Sequence, residues 1–141
     1  MSEHYDNLVA RLREIHNVNQ AAAILGWDQQ VNMPPGGAQA RATQLATLAR
    51  IGHEMTVSDE TARLLEDAER DLDGAEYDSI PASMLRVFRH DFDQATRFPA
   101  EFVAEMASTT TLAHEVWAKA RADKNFAAFR DTLEKLIDLQ R

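Results

Sequence analysis

Two histidine–glutamate dipeptides are the nearest that this sequence comes to the pattern of a metal-dependent hydrolase. A helical zinc site needs two histidines four residues apart on one face, with a glutamate beside the first histidine as general base. His53-Glu54 begins this pattern, but a valine stands at the position of the second histidine. His114-Glu115 also begins it, and there an alanine stands at that position. Neither dipeptide therefore predicts a zinc site.

His90 and Asp93 give a further hypothesis for metal binding. Residues three apart on a helix lie one turn apart, so these two side chains could bind an ion together with a distant histidine. Two such ligands make at best a weak site. The alternative is a solvated helix face with Phe92 turned toward the core. The sequence thus predicts no metal ligand and no bound cofactor for this chain.

The usual starting points for nucleophilic catalysis and phosphate binding are also missing. The absence of cysteine excludes a thiol nucleophile, a thiolate zinc site and disulfides. No serine stands in the glycine-flanked turn that exposes a catalytic hydroxyl. Gly36-Gly37 lacks the following Lys-Ser or Lys-Thr of a phosphate-binding loop. We therefore predict no catalytic residue in this chain.

Charge and hydropathy exclude two classes of partner. The formal net charge is -8 and no basic stripe is present, so neither nucleic acid nor an anionic membrane surface is an expected partner. No apolar run approaches the roughly 20 residues of a membrane span. The charged N-terminal stretch has no apolar segment typical of a secretory signal. We expect a soluble, cytoplasmic protein.

Apolar residues at three- and four-residue steps predict an all-α protein of about six helices. Proline and glycine groups separate the helices, because proline lacks an amide donor and glycine permits positive φ. The predicted helices span about 3–30, 38–54, 59–72, 80 to a break at 98–99, 99–124 and 126–141. Short loops favour antiparallel pairs in one bundle-like domain over residues 1–141. The last helix reaches Arg141 without a stop signal, which predicts further chain.

Three local signals refine these boundaries. Ser58 is a predicted N-cap, although Thr61 stands where a capping box would have glutamate. Pro81 lies in a first helical turn, where its missing donor costs little. The β-branched run 109–111 predicts a weak point in the fifth helix, because such residues lose rotamer freedom there.

The stretch LGWDQQVNMPPGG, residues 25–37, joins a helix end to a turn that reverses the chain. On a mechanical interpretation Trp27 packs beneath the helix end, and Asp28 is exposed or bonds local backbone. Phe98 and Trp117, which come later in the sequence, could likewise either pack in the core or lie at an interface. The candidate structural or interface residues are Trp27, Asp28, Met33, Pro34, Pro35, Gly36, Gly37, Phe98 and Trp117.

The same stretch resembles a known family. WDQQVNMPPGG at 27–37, with the AQAR and QLATL that follow, closely resembles the N-terminal region of the carboxypeptidase Taq family of metallocarboxypeptidases. RHDFDQATR at 89–97, then PAEFV at 99–103, is similar to the family's Asp-Tyr-Asp-x-Ala-Thr segment. Residues 117–129 look like the family's next helix pair. The resemblance spans nearly the whole chain.

The resemblance implies an all-helical fold with a deep cleft between two helical halves. It also implies removal of single residues from peptide C-termini with bound zinc or cobalt. The family's His-Glu-x-x-His helix, third metal ligand and substrate-carboxylate residues lie downstream of the matched region, so none is carried over to this sequence. The expected role is a helical segment that walls the cleft and is catalytically inert by itself.

A free-standing helical binding or regulatory module is the alternative. Such a module would keep the fold and lose the chemistry, leaving an apolar patch where the catalytic half once packed. Self-association, or pairing with a full-length homologue, is then expected. The residues to watch are Trp27, Met33, Phe98 and Trp117, each of which could instead pack in the core.

Overall fold

The computed structural model describes residues 2–34 and 36–141, which form six α-helices and no strand. The predicted all-α class is confirmed, and the helix boundaries fall within a few residues of those expected. The helices are α1 (Glu3–Val31), α2 (Ala38–Thr56), α3 (Asp59–Asp71), α4 (Ile80–Ala95), α5 (Ala100–Ala122) and α6 (Ala127–Leu139).

Serine side chains begin three of the helices. The hydroxyl of Ser58 accepts a hydrogen bond from the Thr61 amide at 3.2 Å, which confirms the predicted N-cap. Thr61 does not replace the glutamate of a capping box, because its hydroxyl donates to the Met55 carbonyl at 2.7 Å. Ser2 and Ser79 cap α1 and α4 in the same way as Ser58. Each cap satisfies an amide that the helix itself leaves without a partner.

The first half of α1 packs antiparallel to α3. Leu8 and Leu65 are both fully buried at this contact, and Leu85 and Phe92 of α4 complete the core cluster. Polar pairs fix the register of the two helices. His4 Nδ1 lies 2.8 Å from Asp71 Oδ2, while Arg11, further along α1, meets the start of α3.

A bidentate ion pair between Arg89 and Glu69 joins α4 to α3. Arg89 Nε and Nη2 donate to the two carboxylate oxygens of Glu69 at 2.8 and 2.5 Å. This planar, bidentate geometry adds directional specificity to the attraction of opposite charges. The hydrogen bonds that Arg89 donates to Glu69 raise the pKa of Arg89 above its ordinary value. The arginine therefore stays charged and holds α4 in place over α3.

The second half of α1 packs antiparallel to α2, which in turn packs against α5. The α1–α2 crossing is close at Gly52, where a Cβ atom would lie 2.6 Å from Asn19 Oδ1. Small side chains allow a close approach elsewhere too, since Ala42 of α2 and Ala113 of α5 are both buried. The fold thus has a Leu/Phe core around α3 and a layer of small residues around α2.

The predicted weak point at 109–111 does not interrupt α5. The hydroxyl of Thr110 donates to the Met106 carbonyl at 2.8 Å, and that of Thr111 donates to the Ala107 carbonyl at 2.7 Å. These bonds satisfy the hydroxyl groups inside the helix. Thr109 and Thr111 are buried, so packing against neighbouring helices outweighs the low intrinsic helix propensity of threonine.

The two longest helices have the length of a membrane span but a different composition. α1 has 29 residues and α5 has 23, against the roughly 20 that a bilayer requires. Polar side chains occur along both helices. Within residues 2–34 and 36–141, no helix is both long and apolar enough to cross a membrane.

Truncation of a core leucine should lower the free energy of unfolding strongly. We expect Leu65→Ala to cost about 3 kcal/mol, because it removes a fully buried side chain and leaves a cavity between α1 and α3. Ile24→Ala is the matched control, since Ile24 is exposed and should change stability by no more than about 0.5 kcal/mol. Urea unfolding of both variants measures the difference. Equal losses would contradict the packing described here.

The α1–α3 contact should also depend on pH. The neighbouring Ser2 hydroxyl, followed by the His4 imidazole, lowers the pKa of Asp71 from 3.8. A lowered pKa in the folded chain gives stability that is present above 3.8 and is lost as the pH falls through the folded value.

Asp71→Asn should therefore reduce stability at neutral pH, and the difference from the wild type should vanish well below pH 3.8. Urea midpoints across this range provide the measurement. Glu134→Gln, on the exposed surface of α6, serves as a control that should leave the pH dependence unchanged. A difference between Asp71→Asn and wild type that grew toward acid would have the wrong sign.

Candidate functional site

The α1–α2 corner, residues 25–41, contains most of the candidate residues. The amides of Asn32 and Met33 both donate to the Asp28 carbonyl, at 2.9 and 3.0 Å, and so end α1. The Gly37 amide donates to the Pro34 carbonyl at 3.0 Å. The chain therefore reverses at the predicted place. Pro35 lies outside the described residues.

Gly36 and Gly37 are required at the corner for different structural reasons. Gly36 has φ 86°, a backbone conformation that side chains other than glycine rarely adopt. Gly37 has φ -75° and does not use this freedom. Its lack of a side chain instead makes room for Met33, because a Cβ at Gly37 would lie 2.9 Å from Met33 Cγ. Only the first glycine thus has the predicted positive φ.

Asp28 and Arg41 hold the corner together. Arg41 Nη2 lies 2.5 Å from Asp28 Oδ2, and Arg41 Nη1 donates to the carbonyl of Leu25. The Arg41 side chain is only 12% exposed and that of Asp28 is 34% exposed. The sequence-based expectation that Asp28 is exposed or bonds local backbone is therefore wrong. Asp28 pairs with a side chain of the next helix, and Arg41 also satisfies an α1 carbonyl.

Gln29 makes a second connection from the corner. Its side-chain Nε2 donates to the backbone carbonyl of Thr111 at 3.1 Å. Thr111 belongs to α5, so this bond links the end of α1 to a helix that follows much later in the sequence. Neither Gln29 nor Arg41 stood out as a site residue in the sequence. Their place in the segments WDQQ and AQAR was the only signal that could have found them.

The three aromatic candidates are exposed. Trp27 is 62% exposed, Phe98 48% and Trp117 41%. The position of Trp27 contradicts the interpretation that it packs beneath a helix end. Phe98 lies just before α5, and Trp117 lies about 25 Å along the helix axis from Ala100, the first residue of α5. Phe98 and Trp117 therefore do not share one patch.

Each of the two later aromatic residues has a local partner. Phe98 stacks on Phe102 with ring centroids 5.4 Å apart, and its carbonyl accepts a hydrogen bond from His53 Nε2 at 2.8 Å. The guanidinium of Arg121 lies 5.3 Å from the centroid of the Trp117 ring. Trp27, by contrast, shares the solvent side of α1 with Ile24 and Val31, which are also exposed. These three residues recur at helical spacing and form an apolar stripe.

The histidine–glutamate dipeptides are engaged in structural contacts. The bond from His53 to the carbonyl of Phe98 fixes the end of α2 against the start of α5. Glu54 pairs with Arg50 one turn earlier, at 2.8 Å. His114 lies beside the Trp117 ring. Neither dipeptide points its side chains toward a common ligand.

The described residues do not fit a zinc or cobalt ion. In residues 2–34 and 36–141 no three histidine, aspartate or glutamate side chains lie close enough together to hold one. The hypothesis that joined His90 and Asp93 to a distant histidine finds no such group, and Asp93 instead lies 3.8 Å from Arg89 Nη1. A catalytic zinc site needs three protein ligands.

Comparison with known proteins decides the family. The family model described as carboxypeptidase Taq (M32) metallopeptidase matches residues 7–141. This chain belongs to the carboxypeptidase Taq family. The resemblance inferred from the 25–37 stretch is thus confirmed, and the matched part is the family's N-terminal region.

Relatives of this carboxypeptidase Taq chain come from several organisms. Thermostable carboxypeptidase 1 of Pyrococcus furiosus is 33% identical over 138 residues, which cover 98% of this chain and 27% of the relative. Thermostable carboxypeptidase 1 of Thermus thermophilus is 27% identical over 135 residues, covering 96% and 26%. The crystal structure of an M32 carboxypeptidase from Deinococcus radiodurans R1 matches with a TM-score of 0.67 and 33% identity, covering 98% and 27%.

The ion pair at the corner should contribute more to stability than an exposed pair does. We expect a double-mutant cycle on Asp28→Asn and Arg41→Gln to give a coupling energy of about 1–2 kcal/mol, because Arg41 is largely buried. The exposed pair Arg50–Glu54 is the matched control and should give no more than about 0.5 kcal/mol. Chemical unfolding of the single and double variants supplies both values. Equal coupling in the two cycles would contradict this role of Arg41.

Proposed function

We propose that this chain forms part of the helical wall of the substrate cleft in a metallocarboxypeptidase, an enzyme that releases residues from peptide C-termini. The family match over residues 7–141 supports the proposal. The chain spans about 27% of the length of the curated relatives it matches, and we propose the carboxypeptidase activity only for a protein of their full length. A wall needs shape and stiffness rather than reactive groups.

The contacts of the corner agree with such a structural role. Asp28, Gln29 and His53 each bond another helix or its flank. Groups used in this way fix the angles between α1, α2 and α5. A cleft wall that moved by about 1 Å would misplace a bound peptide and slow catalysis considerably.

We also propose that the chain is catalytically inert by itself. A metal ion in a peptidase polarises the scissile carbonyl and lowers the pKa of its bound water, while a glutamate accepts the proton. Three ligands and that base have to stand together, and the described residues contain no such group. Zinc or cobalt is accordingly proposed for the full-length enzyme and for residues beyond the matched region.

Peptide hydrolysis tests this proposal. The purified chain is incubated with free and C-terminally blocked peptides in the presence of added Zn²⁺ or Co²⁺, and released amino acids are measured. We expect no release above that of buffer, whereas the full-length Pyrococcus furiosus relative should act on the free peptides. Circular dichroism confirms that the tested chain is helical. Metal-dependent release of C-terminal residues by this chain alone would contradict inertness.

A second candidate function is a binding or regulatory module that pairs with itself or with a full-length homologue. The exposure of Trp27 and of its neighbours Ile24 and Val31 favours it, because contiguous apolar surface marks association sites. Sedimentation over a wide concentration range should then show a dimer that Trp27→Ser weakens. A monomer at every concentration would count against the module. A cytoplasmic location stays a prediction from the sequence.

A further inference from the structure

A groove runs between α1 and α4, and its walls are mostly apolar. Both helices pack against α3, and the groove between them has a volume of about 700 Å³. We call it the α1–α4 groove. Its apolar walls consist of Leu12, Ile15, Ile80, Met84, Val87 and Phe88.

The α4 wall carries apolar side chains that this chain leaves exposed. Ile80 is 82% exposed and Val87 is 62% exposed, although Leu85 and Phe92 of the same helix are buried. Ile80 and Val87 are seven residues apart, two turns along one side of α4. α4 therefore has two apolar faces, and only the face toward α3 is covered by the chain.

The shape of the groove matches one further helix. α1, α3 and α4 surround the core cluster from three sides, and in a four-helix arrangement a fourth helix fills the remaining corner. The lining residues of α4 run from Ile80 to Asp91, which is about 16 Å along the axis. This length accommodates about three turns of a helix that lies in the groove with its apolar side down.

The charges at the rim define the chemistry of that helix. Asp78 and Asp91 line the groove on its α4 side, and both are exposed. Neither carboxylate makes an ion pair with another described residue. His16 is the titratable group on the α1 side. A bound helix would meet apolar walls and two carboxylates, so its own flanks should be basic.

We propose that the α1–α4 groove binds one amphipathic helix whose apolar stripe is flanked by lysine or arginine. The helix is supplied by the part of a carboxypeptidase chain that lies outside the matched region. This assignment rests on the proposed function, because nearly three-quarters of the length of the relatives lies outside the match. A second copy of this chain is disfavoured as occupant, since two chains of net charge -8 repel each other.

Thiol protection measures whether the groove is filled. The chain has no cysteine, so Ser83→Cys introduces a single reactive thiol into the groove. Its rate of alkylation is measured with two designed helical peptides of about 20 residues that share one leucine stripe and carry either lysine or glutamate on both flanks. The separately produced remainder of the Pyrococcus furiosus relative is the third probe. Gln30→Cys, on the exposed surface of α1 outside the groove, is the control thiol.

We expect the lysine peptide and the remainder of the relative to slow alkylation at Ser83→Cys and to leave Gln30→Cys unchanged. Adding Val87→Asp should weaken the protection by about tenfold, because it places a charge in the apolar wall. Val31→Asp, also exposed but outside the groove, should not weaken the protection that the lysine peptide gives. Asp91→Lys should weaken the preference for the lysine peptide over the glutamate peptide, because only one rim carboxylate, Asp78, then remains. Val87, Val31 and Asp91 are all exposed, so these changes leave the core intact.

Four outcomes would overturn the proposal. Equal protection by the glutamate peptide, or none by either peptide, contradicts the assigned chemistry. Protection by the lysine peptide but not by the remainder of the relative contradicts the assigned source. Protection that rises with the concentration of the chain alone identifies a second copy as occupant. The proposed function fails in a different experiment. Metal-dependent peptide hydrolysis by this chain alone would contradict inertness, and it would leave the alkylation rates at Ser83→Cys unchanged.

Discussion

α1 has to bury different faces along its length, and the rest of the fold follows from this constraint. Its first half turns Leu8 toward α3, while its second half turns Val18 toward the close crossing at Gly52 of α2. A straight helix of 29 residues can satisfy both contacts only if its neighbours lie on different sides. The α3–α4 pair covers one side and the α2–α5 pair covers the other. The Asp28–Arg41 pair then ties the last turns of α1 to the first turn of α2.

Local chemistry explains how much of this fold the sequence could predict. Helix limits depend on proline, glycine, serine caps and the spacing of apolar residues, which act over a few positions, and all six helices were predicted on that basis. The partners of Asp28, Gln29 and His53 lie between 13 and 82 residues away in the sequence. Such contacts depend on how whole helices cross, and periodicity along one helix does not contain that information.

Trp27 is a residue whose burial the sequence predicted wrongly. An apolar stripe on a helix predicts burial, yet Ile24, Trp27 and Val31 lie on the solvent side of α1. The prediction of core packing assumed that the chain covers its own apolar faces. This chain spans about 27% of its relatives, and its exposed faces on α1 and α4 have the apolar character of surfaces that a larger assembly covers. Family membership and bare apolar surface thus support one account, in which this region supplies framework rather than reactive groups.

Calorimetric titration of the purified chain with Zn²⁺, and then with Co²⁺, tests this account most directly. The chain contains five histidines, two of them in histidine–glutamate dipeptides, and imidazole is a common zinc ligand. Zinc binding by this chain is therefore chemically possible and can be tested. The account predicts no stoichiometric binding tighter than about 1 µM for either ion. One ion bound per chain at that affinity, and lost in His53→Ala or His114→Ala, would show that the region carries metal chemistry of its own and would contradict the framework role.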